Sequence, residues 1–313
     1  MAQAGLSALF VLLIAAHVAG LIHIASMQRA EDWLYDAWLM RTAPVGADDR
    51  VAILDIDEAS LKSVGRWPWS RDTMTALVEQ LFDRYGVAAV GFDVVFAEPD
   101  TSSGLDTLKQ LAYRDLAGSR DFRAALEQLA PRLDYDARFA QALAERPISL
   151  GYYFIPQGYG DARTGMLPPP SLPADAFSPL QPGTPPPTGY GANLAAFQQA
   201  AQGAGFFNMR ADEDGTARQM ALISPFGEGY HLALSASTLR VAFGGDPALA
   251  GIDQQSVLGR QYRSPWLEVG GLRVPISADG TVNVPYRAGA PFPYLSTADV
   301  LAGDIVIVRP GDR

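Results

Sequence analysis

The sequence predicts an α/β protein: an N-terminal transmembrane helix followed by one large α/β domain with a mixed, partly parallel sheet and a Pro-rich insertion. Three observations support this fold class. The first 28 residues carry no charged side chain. Two apolar segments that are typical of buried strands flank an amphipathic helix between Val51 and Pro99. Residues 157–191 hold nine of the 23 prolines.

The N-terminal segment is the candidate membrane anchor. Gly5–Met27 is predominantly apolar and exceeds the roughly 20 residues that a helix needs to cross a bilayer. A buried core helix and a cleaved signal peptide are the alternatives, but the segment lacks the basic start and the small-residue cleavage site of a signal peptide. We therefore assign residues 1–28 to a transmembrane anchor and residues 29–313 to the domain that follows.

The next segment predicts a strand, a helix and a strand. Val51–Ile56 is a short apolar run, as expected for a buried strand. Ser70 is a good N-cap residue. Apolar residues then recur with helical periodicity at Met74, Leu77, Val78, Leu81 and Phe82. Gly86 ends the helix and Val87–Phe96 forms the second strand, so the pattern predicts a parallel βαβ unit.

Further helices and strands follow, interrupted by the proline-rich segment. Thr101–Ala144 is predicted to be mostly helical and Ile148–Ile155 to be a third strand. Residues 157–191 are predicted to form a loop insertion with polyproline character. Two strands joined by the turn Asp212–Gly215 are predicted next. After residue 191, helices are predicted at Leu232–Phe243 and Ser296–Leu301. Strands are predicted at Gly203–Asn208, Ala217–Ser224, Trp266–Val269, Leu272–Ile276 and Asp304–Val308, and Thr281–Tyr286 follows a further Asp-Gly turn.

Composition excludes several classes of function. The net charge is −10 and the sequence pI about 4.8, which disfavours nucleic-acid binding because phosphate contacts require clustered Lys and Arg. The absence of Cys excludes disulfides, zinc–thiolate sites and cysteine nucleophiles. Only three His are present, so a His-based catalytic triad has little to draw on. We predict no cofactor and no catalytic residue.

Acidic residues cluster at the ends of the first two predicted strands: Asp55, Asp57 and Glu58 after one, Asp93 and Glu98 after the other. Parallel neighbours would gather them at one sheet edge, where α/β folds bind ligands. A Mg²⁺ or Ca²⁺ site and a phosphatase-type D-x-D strand end are two interpretations. The third is structural: Asp57 caps the following helix, and Asp93 forms a buried ion pair with Arg66 or Arg71.

The Trp67-Pro68-Trp69 segment, followed by Arg71, allows two interpretations. It could form a platform that stacks a ring or clamps an anion. It could equally form a rigid corner that buries two indoles. The candidate ligand contacts that we predict from both segments are Asp57, Arg66, Trp67, Arg71 and Asp93. Whether a metal binds there is left open.

The order of these residues resembles the CHASE2 domain family. The matching segments are Val51–Arg71 with DIDEASL and WPW-S-R, the strand GFDVVF, Gly205–Arg218, Ile276–Tyr286 and Phe292–Leu301. The resemblance implies an extracytoplasmic sensor domain of bacterial adenylate or guanylate cyclases, histidine kinases or Ser/Thr kinases. It also implies a preceding transmembrane helix, a periplasmic domain at the inner membrane, and a cytoplasmic output domain outside this chain. It implies no particular ligand residues.

The sequence therefore predicts a signal-sensing domain with no enzyme activity of its own. Its expected partners are the membrane, through the N-terminal helix, and an unknown small molecule or ion; a homodimer is also considered, and nucleic acid is not. Two alternatives from other classes stay open. One is a membrane-anchored, Mg²⁺-dependent hydrolase or phosphatase that uses the acidic strand ends. The other is a dimerisation module that needs no ligand.

Overall fold

The computed structural model describes residues 13–14, 24–177, 185–209, 212, 214–257, 260–289 and 292–305. The chain divides into two compact units. The first comprises Met1–Ile53 and Pro285–Tyr294, and the second comprises Leu54–Val284 and Leu295–Arg313.

Helices occur in both units, and a π-helical turn at Gln80–Arg84 continues the third of them. The helices are α1 (Ala25–Thr42), α2 (Glu58–Ser63), α3 (Arg71–Glu79), α4 (Leu105–Tyr113), α5 (Arg120–Leu133), α6 (Tyr135–Ala144), α7 (Ala195–Ala200), α8 (Leu234–Ala242) and α9 (Thr297–Ala302).

The longest strands lie at residues 148–155 and 249–269, and the others are short. The strands are β1 (Ile53–Asp55), β2 (Val90–Phe92), β3 (Ile148–Ile155), β4 (Arg163–Thr164), β5 (Leu172–Pro173), β6 (Gly189–Gly191), β7 (Gly203–Phe206), β8 (Gln219–Ala221), β9 (Ile223–Phe226), β10 (Gly229–Leu232), β11 (Leu249–Val257), β12 (Arg260–Val269), β13 (Leu272–Pro275), β14 (Thr281–Asn283) and β15 (Tyr294–Ser296).

The first unit contains α1 and the chain around residues 44–50 and 285–294. The Asp48 carboxylate accepts hydrogen bonds from the Arg50 guanidinium at 2.7 and 2.9 Å and lies 3.9 Å from that of Arg287. Val45 and Ala288 form a parallel bridge. These contacts tie the two sequence segments of the unit together.

A mixed sheet centred on β3 organises the second unit, which confirms the α/β class and the partly parallel sheet. β2 and β7 flank β3 in parallel, whereas β6 pairs antiparallel with its last residues. Helix α8 packs across β2, β3 and β7. It approaches closely because glycines face it: a Cβ on Gly205 would lie 2.5 Å from the Leu234 backbone, and one on Gly91 would meet Thr238.

The predicted βαβ unit is only partly correct. The helix begins after Ser70 as expected, but β1 pairs with β15 rather than with β2, and the parallel partner of β2 is β3. The second strand is also shorter than predicted, at Val90–Phe92. The premise that β1 and β2 bring their acids to one sheet edge therefore fails.

β4 extends the β3 sheet by pairing in parallel with β6. Other strands form smaller antiparallel sheets: β5-β10-β9, β11-β12-β13 and β14-β8. The hairpin predicted at residues 203–224 is wrong, because β7 pairs with β3 and β8 pairs with β14. The turn itself is present, with the amide of Gly215 donating to the carbonyl of Asp212. The strands predicted around Gly270–Gly271 are confirmed as β12 and β13.

Residues 157–191 contain more regular structure than their composition predicts. β5 pairs with β10, and β6 pairs with β3. Leu172 and Phe177 are buried in a core cluster with Tyr230 and Leu267. These apolar residues between the prolines supply the surface that fixes the segment to the domain, whereas residues 178–184 lie outside the described part.

The predicted transmembrane helix is wrong for the part of the chain that the structure describes. No helix there combines the length and the apolar composition that crossing a membrane requires. Helix α1 begins only at Ala25 and carries Arg29, Glu31, Asp32 and Asp36. Most of the predicted anchor, residues 1–28, lies outside the described residues, as does most of the strand predicted at the C-terminal end.

Candidate functional site

Arg71, one of the predicted ligand contacts, lies at the start of α3. Ser70 caps the helix by accepting a 3.2 Å hydrogen bond from the amide of Thr73, as its sequence position predicts. Trp69 is buried, and its indole N–H donates to the carbonyl of Gly65 at 2.8 Å. Arg71 is the first residue of the helix, and its side chain is directed into the domain, where it is 8% exposed.

The Arg71 guanidinium lies between aromatic rings. Its Cζ is 4.7 Å from the ring centroid of Phe96 and 5.6 Å from that of Phe197. Nη2 donates a 3.0 Å hydrogen bond to the carbonyl of Glu98. Nε lies 3.7 Å from the Asp136 carboxylate and has no hydrogen-bond partner among the described residues. Ring faces attract a cation, so these contacts compensate in part for the loss of water around it.

Two carboxylates complete this group. Asp100 accepts a 2.6 Å hydrogen bond from the backbone N–H of Arg71 and a 2.7 Å bond from that of Ser102. The amide of Asp100 donates in turn to the Asp136 carboxylate, at 3.1 and 3.3 Å. We call Arg71, Phe96, Glu98, Asp100, Asp136 and Phe197 the Arg71 cluster. It joins the start of α3 to the loop after β2 and to the first turn of α6.

Burial and hydrogen bonding shift the pKa values of Asp136 and Asp100 in opposite directions. For Asp136, burial outweighs the amide of Asp100 and the charge of Arg71, and raises the pKa. For Asp100, burial acts in the same direction, but hydrogen bonds from Ser102 and Arg71 together outweigh it and lower the pKa. Burial lowers the pKa of Arg71, which nonetheless remains a cation at neutral pH.

Asp57 is the centre of a second hydrogen-bond network. Its carboxylate accepts bonds from the amide and hydroxyl of Ser60, at 2.8 and 2.7 Å, and from the hydroxyl of Ser296 at 2.9 Å. The Ser60 hydroxyl also accepts from the amide of Ala298. Hydrogen bonds from Ser60, followed by the one from Ser296, lower the pKa of Asp57. This network confirms the predicted helix cap and ties α2 to α9.

The five predicted ligand contacts are therefore not brought together as one site. Asp57 and Arg71 take part in separate internal networks, whereas Arg66, Trp67 and Asp93 are exposed. Asp93 forms no ion pair with Arg66 or Arg71, so that part of the structural interpretation is wrong.

The two interpretations of the Trp-Pro-Trp segment each describe one of its indoles. Trp69 is buried as a rigid corner requires, whereas Trp67 is 36% exposed. The two rings meet edge to face, with 5.6 Å between their centroids. Trp67 and the preceding Arg66 therefore present a partly exposed ring and an exposed cation on the turn that leads into the Arg71 cluster.

Sequence reasoning missed Asp100, Asp136, Phe197 and Ser296 as partners of the predicted residues. Asp136 lies in the first turn of α6 and Ser296 directly precedes α9, positions at which the sequence alone suggests only a first-turn or capping role. Only the tertiary fold shows that Asp136 faces Arg71 and that Ser296 donates to Asp57. No local pattern identified these contacts.

The metal and phosphatase interpretations of the acidic strand ends gain no support from the described residues. Among them, no group of three or more His, Asp or Glu side chains is arranged to hold a metal ion. Asp55 is exposed on β1, and the carboxylate of Asp57 is occupied by serine donors. The D-x-D spacing thus corresponds to a strand end and a helix cap.

Comparison with known proteins gives one finding. The family model of the CHASE2 domain matches residues 8–312, which is nearly the whole chain. Searches of curated proteins and of solved structures find no match. The family consists of extracytoplasmic sensor domains, and the resemblance seen in the sequence is confirmed. The chain belongs to the CHASE2 domain family.

Proposed function

We propose that this chain senses an extracytoplasmic signal and regulates a cyclase or kinase activity in the remainder of an inner-membrane receptor. The observation that carries the proposal is the family match over residues 8–312. Sensing requires that the signal bind one conformation of the domain more tightly than another, since equal affinity shifts no population. The domain must therefore contain an element that has two arrangements.

The Arg71 cluster is our candidate for that element. The Arg71 guanidinium faces the Glu98 carbonyl and the Asp136 carboxylate, while the backbone amide of Arg71 donates to Asp100. Its Nε has no hydrogen-bond partner among the described residues, so a different acceptor could satisfy it. A small displacement of the loop at residues 98–100 would exchange one acceptor for another. We propose that Arg71 acts as a positioning residue in this way, and that Asp57 does so separately, by holding α2 to α9 through Ser60 and Ser296.

The exposed members of the predicted set are our candidates for contact with the signal. Arg66 and Trp67 lie on the turn before α3, five and four residues from Arg71 respectively, and Asp93 lies just after β2. An exposed cation beside an indole suits a small anion or a planar molecule. A bound ligand there would act on the start of α3, to which the cluster is attached.

The test uses the complete receptor and replaces exposed residues, whose loss leaves the core intact. Output would be measured for wild type, Arg66→Ala and Trp67→Ala at rest and during titrations with Mg²⁺, Ca²⁺ and inorganic phosphate. We expect a several-fold change in resting or stimulated output. Tyr113→Ala is the matched control, because Tyr113 is 87% exposed on α4 and lies outside both networks.

Outputs of Arg66→Ala and Trp67→Ala that equal wild type under all of these conditions would remove the two residues as signal contacts. A receptor that keeps constant output under every stimulus, yet loses it when its dimer is disrupted, would identify a dimerisation module instead.

A further inference from the structure

A buried imidazole lies at the junction of two sheets in the second unit. His231 on β10 is 2% exposed, and it is the only His within the described residues. Its Nδ1 lies 3.2 Å from the hydroxyl of Tyr152, which is fully buried on β3. β10 belongs to the sheet β5-β10-β9, whereas β3 is the central strand of the mixed sheet. The contact therefore links the two sheets.

The hydrogen bonds of His231 fit the neutral ring. The backbone of Phe226 favours the protonated ring, but burial has the larger effect on the pKa of His231. Burial raises the pKa of Tyr152, so its hydroxyl keeps its proton and can donate it to Nδ1 of the neutral ring. This hydrogen bond forms only while Nδ1 carries no proton of its own, as in the neutral ring with its proton on Nε2.

Among the described residues, the strands that surround a protonated ring offer it no negative charge, and Glu228, in the turn between β9 and β10, is exposed. Tyr152, Phe154 and Phe226 enclose it, with centroids 5.5–6.3 Å away. Strands β5, β7 and β9 have no titratable side chain, β3 contributes only Tyr152 and Tyr153, and β10 only Tyr230. The nearby cation is Arg163, whose Cζ lies 5.4 Å from the Phe226 ring centroid and opposes a second positive charge.

Protonation would therefore break the link between the sheets. An imidazolium carries N–H donors on both nitrogens, so the Tyr152 hydroxyl would have to turn and accept where it now donates. A buried charge without a counter-charge is unstable, and the ring would leave its enclosure for water. Burial accordingly lowers the pKa of His231 to about 4, from 6.5 in water.

We propose that this domain also responds to the proton, which His231 takes up as the junction between β10 and β3 opens. The inference rests on the proposed sensor function and adds acidification to the signals that the domain would detect. The sign follows from the two protonation constants. An exposed His binds a proton below about pH 6.5, whereas the buried ring stays neutral down to about pH 4. Acidification through this window favours the open state, by a factor on the order of 100 at its lower end.

The experiment measures amide hydrogen exchange of β3 and β10 in the full chain between pH 4 and pH 7, after correction for the intrinsic pH dependence of exchange. We expect opening at these strands to increase about 100-fold as the pH falls from 6.5 to 4. His231→Gln, which has no proton to gain in this range, is expected to show no such increase. The His17→Asn/His23→Asn double variant retains His231 and is expected to behave as wild type.

A second measurement uses the wild-type protein alone, in case His231→Gln fails to fold. Nitrogen-15 NMR of the imidazole rings distinguishes neutral from charged His and one tautomer from the other. We expect one of the three His to remain neutral, with its proton on Nε2, at pH 5. A set of His that are all charged at pH 5 would overturn the proposal.

The same pH dependence of exchange in His231→Gln as in wild type would also overturn it, since carboxylates with lowered pKa values, such as Asp57 and Asp100, would then cause the opening. Either result concerns the proton alone and leaves the sensor function to the receptor assay. Conversely, an intact His231 transition in a receptor whose output never changes would contradict the sensor function instead.

Discussion

The backbone N–H of Arg71 donates a 2.6 Å hydrogen bond to the carboxylate of Asp100, which lies 29 residues further along the chain. The guanidinium of the same residue donates to the carbonyl of Glu98, two residues before Asp100. One residue therefore holds the loop after β2 with both its backbone and its side chain. This double attachment makes the start of α3 sensitive to any movement of that loop.

Loss of the Arg71 side chain is expected to be costly. Arg71→Met removes the cation but keeps an apolar side chain between Phe96 and Phe197, so Asp136 is left without its counter-charge. Removing one partner from a buried pair typically costs about 3 kcal/mol. Urea unfolding measures it. The matched control is Arg138→Met, whose exposed pair with Asp72 should contribute less than about 1 kcal/mol. Equal losses in the two variants would contradict this account of the cluster.

The serine at the centre of the α2–α9 contact should matter more than its neighbour. Ser60 is buried, donates to Asp57 and accepts from the amide of Ala298. Ser60→Ala leaves that amide without its acceptor, and we expect the free energy of unfolding to fall by about 1–2 kcal/mol. Ser63→Ala, in the same helix but exposed, should change it by less than about 0.5 kcal/mol. A difference below experimental error would remove the network as a structural link.

Gly205, on β7, should tolerate no side chain. A Cβ on Gly205 would lie 2.5 Å from Cα and N of Leu234, so β7 and α8 would have to separate. Gly205→Ala should lower the free energy of unfolding by about 2–3 kcal/mol, as overpacking does. Gly118→Ala is the control, because open space surrounds Gly118 and its φ is not positive. Thermal unfolding of both variants decides, and a stable Gly205→Ala protein would show that the helix lies further from the sheet.

The domain should lose stability in acid through His231. Burial lowers the pKa of His231, so the contribution of this residue to stability is complete above pH 6.5 and is lost as the pH falls towards 4. The difference corresponds to about 3 kcal/mol in the free energy of unfolding. Urea unfolding at pH 7, 5.5 and 4 measures it, and His231→Gln should show a smaller decline. A wild-type stability that is constant over this range would contradict the burial of a neutral ring.

Local signals predicted the parts of the fold that depend on them. Ser70 and the apolar stripe after it gave the correct start of α3, because a cap and a helical period act within a few residues. The pairing of β1 with β15 brings together residues more than 200 positions apart, and no periodicity reports such a partner. The sequence likewise shows the glycines that face α8, but it does not show that α8 packs against them.

The candidate site shows the same division. Asp57 was predicted as a cap from its position, and the cap is present. The structural interpretation paired Asp93 with Arg66 or Arg71, and neither pair forms. The true partner of Arg71, Asp136, lies 65 residues further along, at the start of another helix. Long-range charge pairing follows the fold, so it could not be predicted before the fold was known.

The most direct test of the sensor function is the output of the complete receptor carrying Arg71→Lys. Lysine keeps the charge but cannot reproduce the planar contacts with Phe96, Phe197 and the Glu98 carbonyl. We predict that the cyclase or kinase output, or its response to an external stimulus, changes several-fold at unchanged receptor abundance, while Arg138→Lys behaves as wild type. An output of Arg71→Lys that is identical to wild type at rest and under stimulation would contradict the claim that this domain controls the receptor through the Arg71 cluster.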